Sequence, residues 1–298
     1  MPVTAPYVST AAFQAHPTYL DLDDLRSGSS LQSDQTAELT NVLLMATQWC
    51  DNYAEQELAA HTVVQNTRAR TDRYGNLRLH LDHSPYLSLV QVGYGYTIGT
   101  LTILSSPTSW VQDNNLTVPL GPNSSPWSGS LQFGFPGAGS ELYVQVAYTA
   151  GWVATQLAAD ASAAATSITV ADPTGILPGA QYRIWDPGAE ETVTVSTSWV
   201  PPAISVPPLA PAPTTVALAS PTLFAHTTSQ DFSGMPADLR LAVINYAISQ
   251  LMRPDTAAED SYPDTKLSTG TRQTDTRQDG SGLVAEATRI LEKYRRIR

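Results

Sequence analysis

A single cysteine, Cys50, and two lysines, Lys266 and Lys293, set the first limits on this 298-residue chain. One cysteine makes no intrachain disulfide and excludes every zinc module built from several thiolates. Charged residues are scarce at 14%, against about a quarter in an average globular chain, so the surface relies on Ser, Thr, Asn and Gln. No run approaches the roughly 18 uninterrupted apolar residues of a membrane span, and MPVTAPYVST at the start has neither a basic nor an apolar signal region. Nothing here addresses the chain to a membrane. Positive charge is the minority: 16 Lys plus Arg face 27 Asp plus Glu, a net of −11. A field of that sign repels nucleic-acid phosphates and anionic membranes.

Catalytic signatures are missing too. There is no G-x-S-x-G elbow, no H-E-x-x-H helix and no G-x-x-x-x-G-K-[ST] loop. The glycines of Gly93-Tyr-Gly-Tyr-Thr-Ile-Gly99 are misplaced for a nucleotide loop and read as a bend between strands. Asn115-Leu-Thr117 matches a glycosylation acceptor, without force in the absence of a secretory signal. His80 and Asp82 share a strand face beside His83, yet no further metal ligand accompanies them. Asp21, Asp23 and Asp24 lack the glycine-centred spacing of a calcium loop and read as a solvated helix face. No enzyme, cofactor or metal is expected.

What is present is patterned apolar sequence, 42% of the chain, enough for roughly two domains at about 150 residues each. Leu39, Val42, Leu43, Ala46, Trp49, Cys50 and Tyr53 recur at helical spacing behind Ser33 or Asp34 as N-cap. Val8–Ala15 and Thr18–Leu25 are shorter helical candidates split by Pro17. Period two then predicts a hairpin from Thr67–Thr71 and Leu77–Leu81, and strands at Tyr86–Val92, Thr97–Leu104 and Leu142–Tyr148, with Ser105–Ser140 as a loop. Short β-branched segments at Ser167–Val170, Tyr182–Trp185, Thr192–Val195 and Thr215–Leu218 predict a small β module, interrupted by the proline-rich run Val200–Pro213. Pro236 opens a largely buried helix to Leu251, Asp255–Gly282 is too polar to order itself, and a last helix runs from Ser281 or Gly282 to Tyr294.

The end is chemically distinct: residues 289–298 carry a net of +4, leaving −15 on the rest. Cations at a helix C-terminus answer the helix dipole, at about 0.3–1 kcal/mol each, but this cluster exceeds what one dipole requires and also suits an acidic partner surface.

Four stretches taken in order, Tyr7-Val-Ser-Thr-Ala-Ala-Phe13, Tyr148-Thr-Ala-Gly-Trp152, Pro236-Ala-Asp-Leu-Arg-Leu-Ala242 and Leu291-Glu-Lys-Tyr-Arg-Arg-Ile-Arg298, resemble the head-to-tail connector (adaptor) proteins of long-tailed bacteriophages. The resemblance covers residues 1–152 and 230–298. It implies an α+β chain: a helical-bundle connector domain with a β-hairpin or sheet, made of 1–152 and 231–298, assembled as a twelve-fold ring beneath the portal protein in the virion neck. The ring would meet a further tail-completion protein below, pass genomic DNA without sequence-specific binding, and be made in the host cytoplasm. Tyr294, Arg295, Arg296, Ile297 and Arg298 would contact the portal, while Val42–Tyr53 and Leu239–Leu251 form the core. Relatives have only a short link where this chain has residues 153–230, so an inserted β domain is expected there. Trp110, Trp127, Trp152, Trp185 and Trp199 leave open a second reading, a virion surface module for carbohydrate or fibre attachment.

Overall fold

The computed structural model describes residues 5–17, 34–104, 109–112, 114–120, 141–252 and 281–296. The Thr18–Leu25 candidate with its three aspartates, Trp127, most of 105–140, the polar run after Arg253, Ile297 and Arg298 lie outside them.

The chain opens with α1 (Thr10–Ala15), capped by the Ser9 side chain accepting from the Ala12 N–H, and α2 (Asp34–Ala54). Leu39, Leu43, Ala46, Cys50 and Ala54 are fully buried along one stripe of α2, as the spacing predicted. The helix stops where Glu55 turns left-handed (φ 57°) and the Gln56 N–H bonds the Asp51 carbonyl. Seven strands follow: β1 (His61–Thr71), β2 (Asn76–His80), β3 (Tyr86–Thr97), β4 (Thr100–Ile103), β5 (Trp110–Gln112), β6 (Asn115–Pro119) and β7 (Glu141–Ala150). They form one antiparallel sheet in the order β4-β3-β7-β1-β2-β6-β5. Ile103 and Trp110, on the two outermost strands, are seven positions apart, a reach of at most about 25 Å, so the sheet curls into a half-barrel. Leu77, Leu79, Leu81, Leu116, Val118, Leu142, Val144, Val146 and Tyr148 fill its concave side. Each fully buried aliphatic side chain there contributes about 1.5–3 kcal/mol.

A smaller β module comprises β8 (Ala154–Gln156), β9 (Ser167–Val170), β10 (Gln181–Trp185), β11 (Glu191–Thr194), β12 (Thr214–Ala217) and β13 (Asp231–Ser233). They are arranged as a β11-β10-β13-β8 sheet and a β12-β9 pair around Ile168, Val170, Ile184, Val193, Val216 and Phe232. Residues 200–213 form no strand and are mostly exposed. Then come α3 (Ala237–Leu251), entered through Pro236, α4 (Ser281–Leu291) and a single 3-10 turn, Glu292–Tyr294. α3 lies between α2 and α4, with Trp49 stacked on Tyr246 at 4.0 Å between ring centroids.

The expectation of a helical-bundle connector domain is overturned. Among the described residues 13 strands face four α-helices, and the dominant body of the first 152 residues is the curled sheet. Two features produce the difference. The β-branched run Thr62-Val-Val64 extends β1 well upstream of Thr67, giving a ten-pair ladder with β7 from His61↔Ala150 to Arg70↔Glu141. In the stretch expected to be loop, Trp110–Gln112 and Asn115–Pro119 pair across a tight turn with Asn114 left-handed (φ 60°), a conformation asparagine tolerates. Gly93 and Gly95 lie within β3 rather than between strands; a Cβ on Gly95 would sit 2.5 Å from the Thr100 carbonyl.

One buried ion pair joins the parts. Arg240 of α3, 4% exposed, donates to the Asp231 carboxylate of β13 (2.8 Å) and to the Tyr7 carbonyl (2.8 Å), and the Ser9 N–H also donates to Asp231 (2.8 Å). Burial pushes the Asp231 carboxyl up, with Arg240 and Ser9 opposing. Direct contact with a permanently charged guanidinium holds it as a carboxylate. Removing one partner strands the other charge in the interior, so Arg240→Ala is expected to lower stability by about 3–5 kcal/mol. Met45→Ala, at an exposed position of α2, should stay within about 0.5 kcal/mol; urea unfolding of both variants checks the contrast.

Candidate functional site

The end of α2, the start of β1 and the C-terminal turn meet at one corner, because each leaves polar groups that the others satisfy. The Tyr294 hydroxyl donates to Asp238 Oδ1 (2.8 Å), its carbonyl accepts from Gln56 Nε2 (2.8 Å), and its ring meets Trp152 edge-on at 5.3 Å. Burial, then the Asp238 hydrogen bond, pushes the Tyr294 phenol up to about 12. The Arg296 N–H donates to the Ala54 carbonyl (2.8 Å), satisfying one of the orphan acceptors at the end of α2. Its guanidinium reaches Asp82 at 3.1 Å, Arg295 pairs with Glu55, and Lys293 lies 3.6 Å from Asp238.

The residues expected to contact a portal are thus brought together, but on this chain's own carboxylates. Tyr294, Arg295 and Arg296 each have an internal partner, and Ile297 and Arg298 lie beyond the described residues. Arg295 and Arg296 sit at the C-terminal end of α2, so they answer the dipole of a different helix from their own. Asp82 and Asp238 carried no sign of this in the sequence, being more than 50 positions away.

Beneath the corner lies a second polar node. The Tyr7 hydroxyl donates to Asp51 Oδ1 (2.7 Å) and accepts from the Ala59 N–H (2.9 Å), and the Leu58 N–H donates to the same carboxylate oxygen (3.0 Å). Burial raises Asp51 to about 7 against these hydrogen bonds. Burial also pushes the neighbouring Cys50 thiol far up, which keeps it protonated and unreactive. Gly151 completes the junction: with φ 102°, its missing Cβ would lie 2.3 Å from the Ala59 carbonyl. That close approach lets Trp152 exchange hydrogen bonds with Leu58 and Ala60 (2.8 and 2.7 Å).

The other candidates disperse. His80 is exposed, Asp82 is held by Arg296, and His83 meets His61 edge-on at 5.1 Å. Burial, with His61 and Arg296 adding to it, lowers His83 to about 4, so its ring is neutral. Among the described residues no three His, Cys, Asp or Glu side chains converge on a metal position. Sequence reasoning missed the buried His226, whose Nδ1 meets Asp186 (3.1 Å) and whose Nε2 meets Glu191 (2.7 Å). Burial raises Glu191, but the Leu223 N–H, His226 and the Phe224 N–H together outweigh it and hold the carboxyl below its ordinary value. With both ring nitrogens engaged by carboxylates, this imidazole clamps a loop.

Of the five tryptophans described above as possible platforms, Trp152 packs on Tyr294 and Trp199 is buried, while Trp110 is 50% exposed. Trp110 flanks a groove of about 440 Å³ with Arg78, His80, Gln112, Asn115 and Thr117. Comparison with protein-family models and with curated protein sequences gives no match to this chain.

Asp51 generates a pH prediction. Its folded-state value lies above the ordinary 3.8, so the contribution it makes is complete below about pH 4 and is lost as pH rises through about 7. In Asp51→Asn, with the amide oxygen still accepting from Tyr7 and Leu58, the fall in unfolding free energy from pH 4 to 7 should be smaller than in wild type, by up to about 4 kcal/mol. Parallel urea titrations across that range measure it.

Proposed function

We propose that this chain is a structural, non-enzymatic protein of the bacteriophage neck: a homo-oligomeric ring between portal and tail that joins capsid to tail and lets DNA pass. Its partners would be the portal protein above, a tail-completion protein below, and genomic DNA in an acidic lumen that avoids sticky phosphate contacts. The β module, which the pairing of β13 with β8 and β10 extends from the expected 153–230 to Ser233, would be an insertion outside the connector portion.

The observation that carries this reading is convergence. Four stretches scattered along the chain motivated the resemblance, and their residues touch: Tyr7 through its carbonyl on Arg240, Trp152 on Tyr294, and Tyr294 on Asp238. They build one corner from which the cationic end leaves. The proposed portal contacts are the outward faces of Arg295 and Arg296 together with Ile297 and Arg298.

The test must spare the core, since Ile290 and Leu291 are buried. The double variant Arg295→Glu/Arg296→Glu replaces two solvent-screened ion pairs, each contributing about 0–1 kcal/mol, by equally screened like-charge contacts with Glu55 and Asp82, and should stay folded by circular dichroism. Its affinity for the isolated portal should fall at least about tenfold, as expected when a charged rim is reversed. Unchanged affinity removes the tail from the portal interface.

A second reading has one observation in its favour: the half-exposed Trp110 beside polar side chains is the form of a sugar platform. A glycan array probed with the whole protein and with Trp110→Ala decides it. Tryptophan-dependent binding supports attachment, and no binding by either protein eliminates it.

A further inference from the structure

The outer face of the half-barrel carries an excess of positive charge beside Trp110. Because Leu77, Leu79, Leu116 and Val118 are buried in the core, strand alternation turns their neighbours outward. The register then sets two rows across β2, β6 and β5: Arg78, Thr117 and Trp110 in one, His80, Asn115 and Gln112 in the other. These residues line the groove of about 440 Å³, within the size of a small-ligand site, about 300–1,000 Å³. Trp110 is half-exposed, and among the described residues no carboxylate lines the groove. In a chain of net −11 this is a local reversal of sign.

The reversal extends one strand further. Arg70 of β1 lies directly opposite Arg78 of β2, and like charges so placed repel each other. Two carboxylates are near, but three guanidinium groups face them. Asp72 meets the Nε of Arg78 at 3.3 Å, while also accepting from the Tyr74 and Asn76 N–H groups that shape the turn between β1 and β2. Glu141, across from Arg70 on β7, turns to Arg68 at 3.6 Å. Arg70 is exposed and has no hydrogen bond or ion pair among the described residues. The free chain therefore bears a repulsion that a bound anion relieves.

Guanidinium groups favour a planar carboxylate, which accepts two parallel N–H donors at once. The exposed indole supplies a flat apolar surface for the C–H face of a sugar ring, and Gln112 and Asn115 bring amides of the kind that bond hydroxyls. Neighbouring strands are about 4.8 Å apart, so about 10 Å separates the Trp110 and Arg78 backbones, room for a ring between the two side chains. A nucleic acid also offers anions and flat rings. It brings one charge per about 1.7 Å of duplex axis, however, and the field of a chain of net −11 opposes that density far more than one carboxylate on a sugar.

We propose that this face binds an acidic glycan, one ring stacked on Trp110 and a carboxylate of that ring or the next held between Arg78 and Arg70. This rests on the attachment reading above and names its ligand class. The whole protein is probed on an array of uronate- and sialate-containing oligosaccharides, each printed beside its carboxyl-reduced form, with a single-stranded oligonucleotide alongside. Binding should be confined to the acidic forms. For the tightest of them, calorimetric titration should show Arg70→Gln weakening affinity about tenfold, the loss of one charge-assisted hydrogen bond. Trp110→Ala should weaken it at least as much. Equal binding of the reduced forms, lost in Trp110→Ala, overturns the charge assignment and leaves the attachment reading intact, and an affinity unchanged in Arg70→Gln does the same. Tighter binding of the oligonucleotide than of any glycan overturns the proposal in favour of a nucleic-acid surface. No binding to any probe overturns both the proposal and the attachment reading.

Discussion

A buried guanidinium must be surrounded by acceptors, and in this protein Arg240 and its two acceptors tie three elements of the fold together. Asp231 arrives from the small β module, the Tyr7 carbonyl from the N-terminal segment, and Arg240 itself from α3. Neither burial nor charge permits a looser arrangement, because each ion leaving its partner costs several kcal/mol in a medium of low polarity. From Tyr7 the constraint passes through Asp51 to the Leu58 N–H, so the turn from α2 into β1 is fixed. Gly151 and Trp152 close on that turn, and Tyr294 closes on Trp152. The position of the cationic end is thus set by a relay of satisfied polar groups running back to one arginine.

Legibility from sequence followed the range of the forces involved. α2, α3 and α4 were readable because a buried stripe at helical spacing is written locally, as with Leu39, Leu43, Ala46 and Cys50. β7 was readable for the same reason, its alternation Leu142, Val144, Val146 and Tyr148 facing one core. The early part of β1 was not, since its side chains through Val64 are only partly buried and show no clean alternation. β8 and β13 are three residues each and exist because they pair with each other and with β10. Strands of that length have no period to detect. The error in fold class grew from these omissions: with β5, β6 and half of β1 missing, the helices appeared to dominate.

The site divides the same way. Its cationic residues were visible as a local excess of charge, but Asp82 and Asp238 became their partners only through the tertiary fold. The His226 clamp was invisible for the same reason, its two carboxylates lying 35 and 40 positions upstream. Glycine gave the one strong long-range hint: Gly151 sits in a stretch that motivated the resemblance, and the structure gives it a steric reason, the Ala59 carbonyl where a Cβ would be.

A charged end fixed by the chain's own core is what the proposed neck role would use to hold a partner in register. The most direct test of that role is electron microscopy of phage particles assembled without this protein. DNA-filled heads lacking tails are the predicted result; intact tailed virions would contradict the neck assignment.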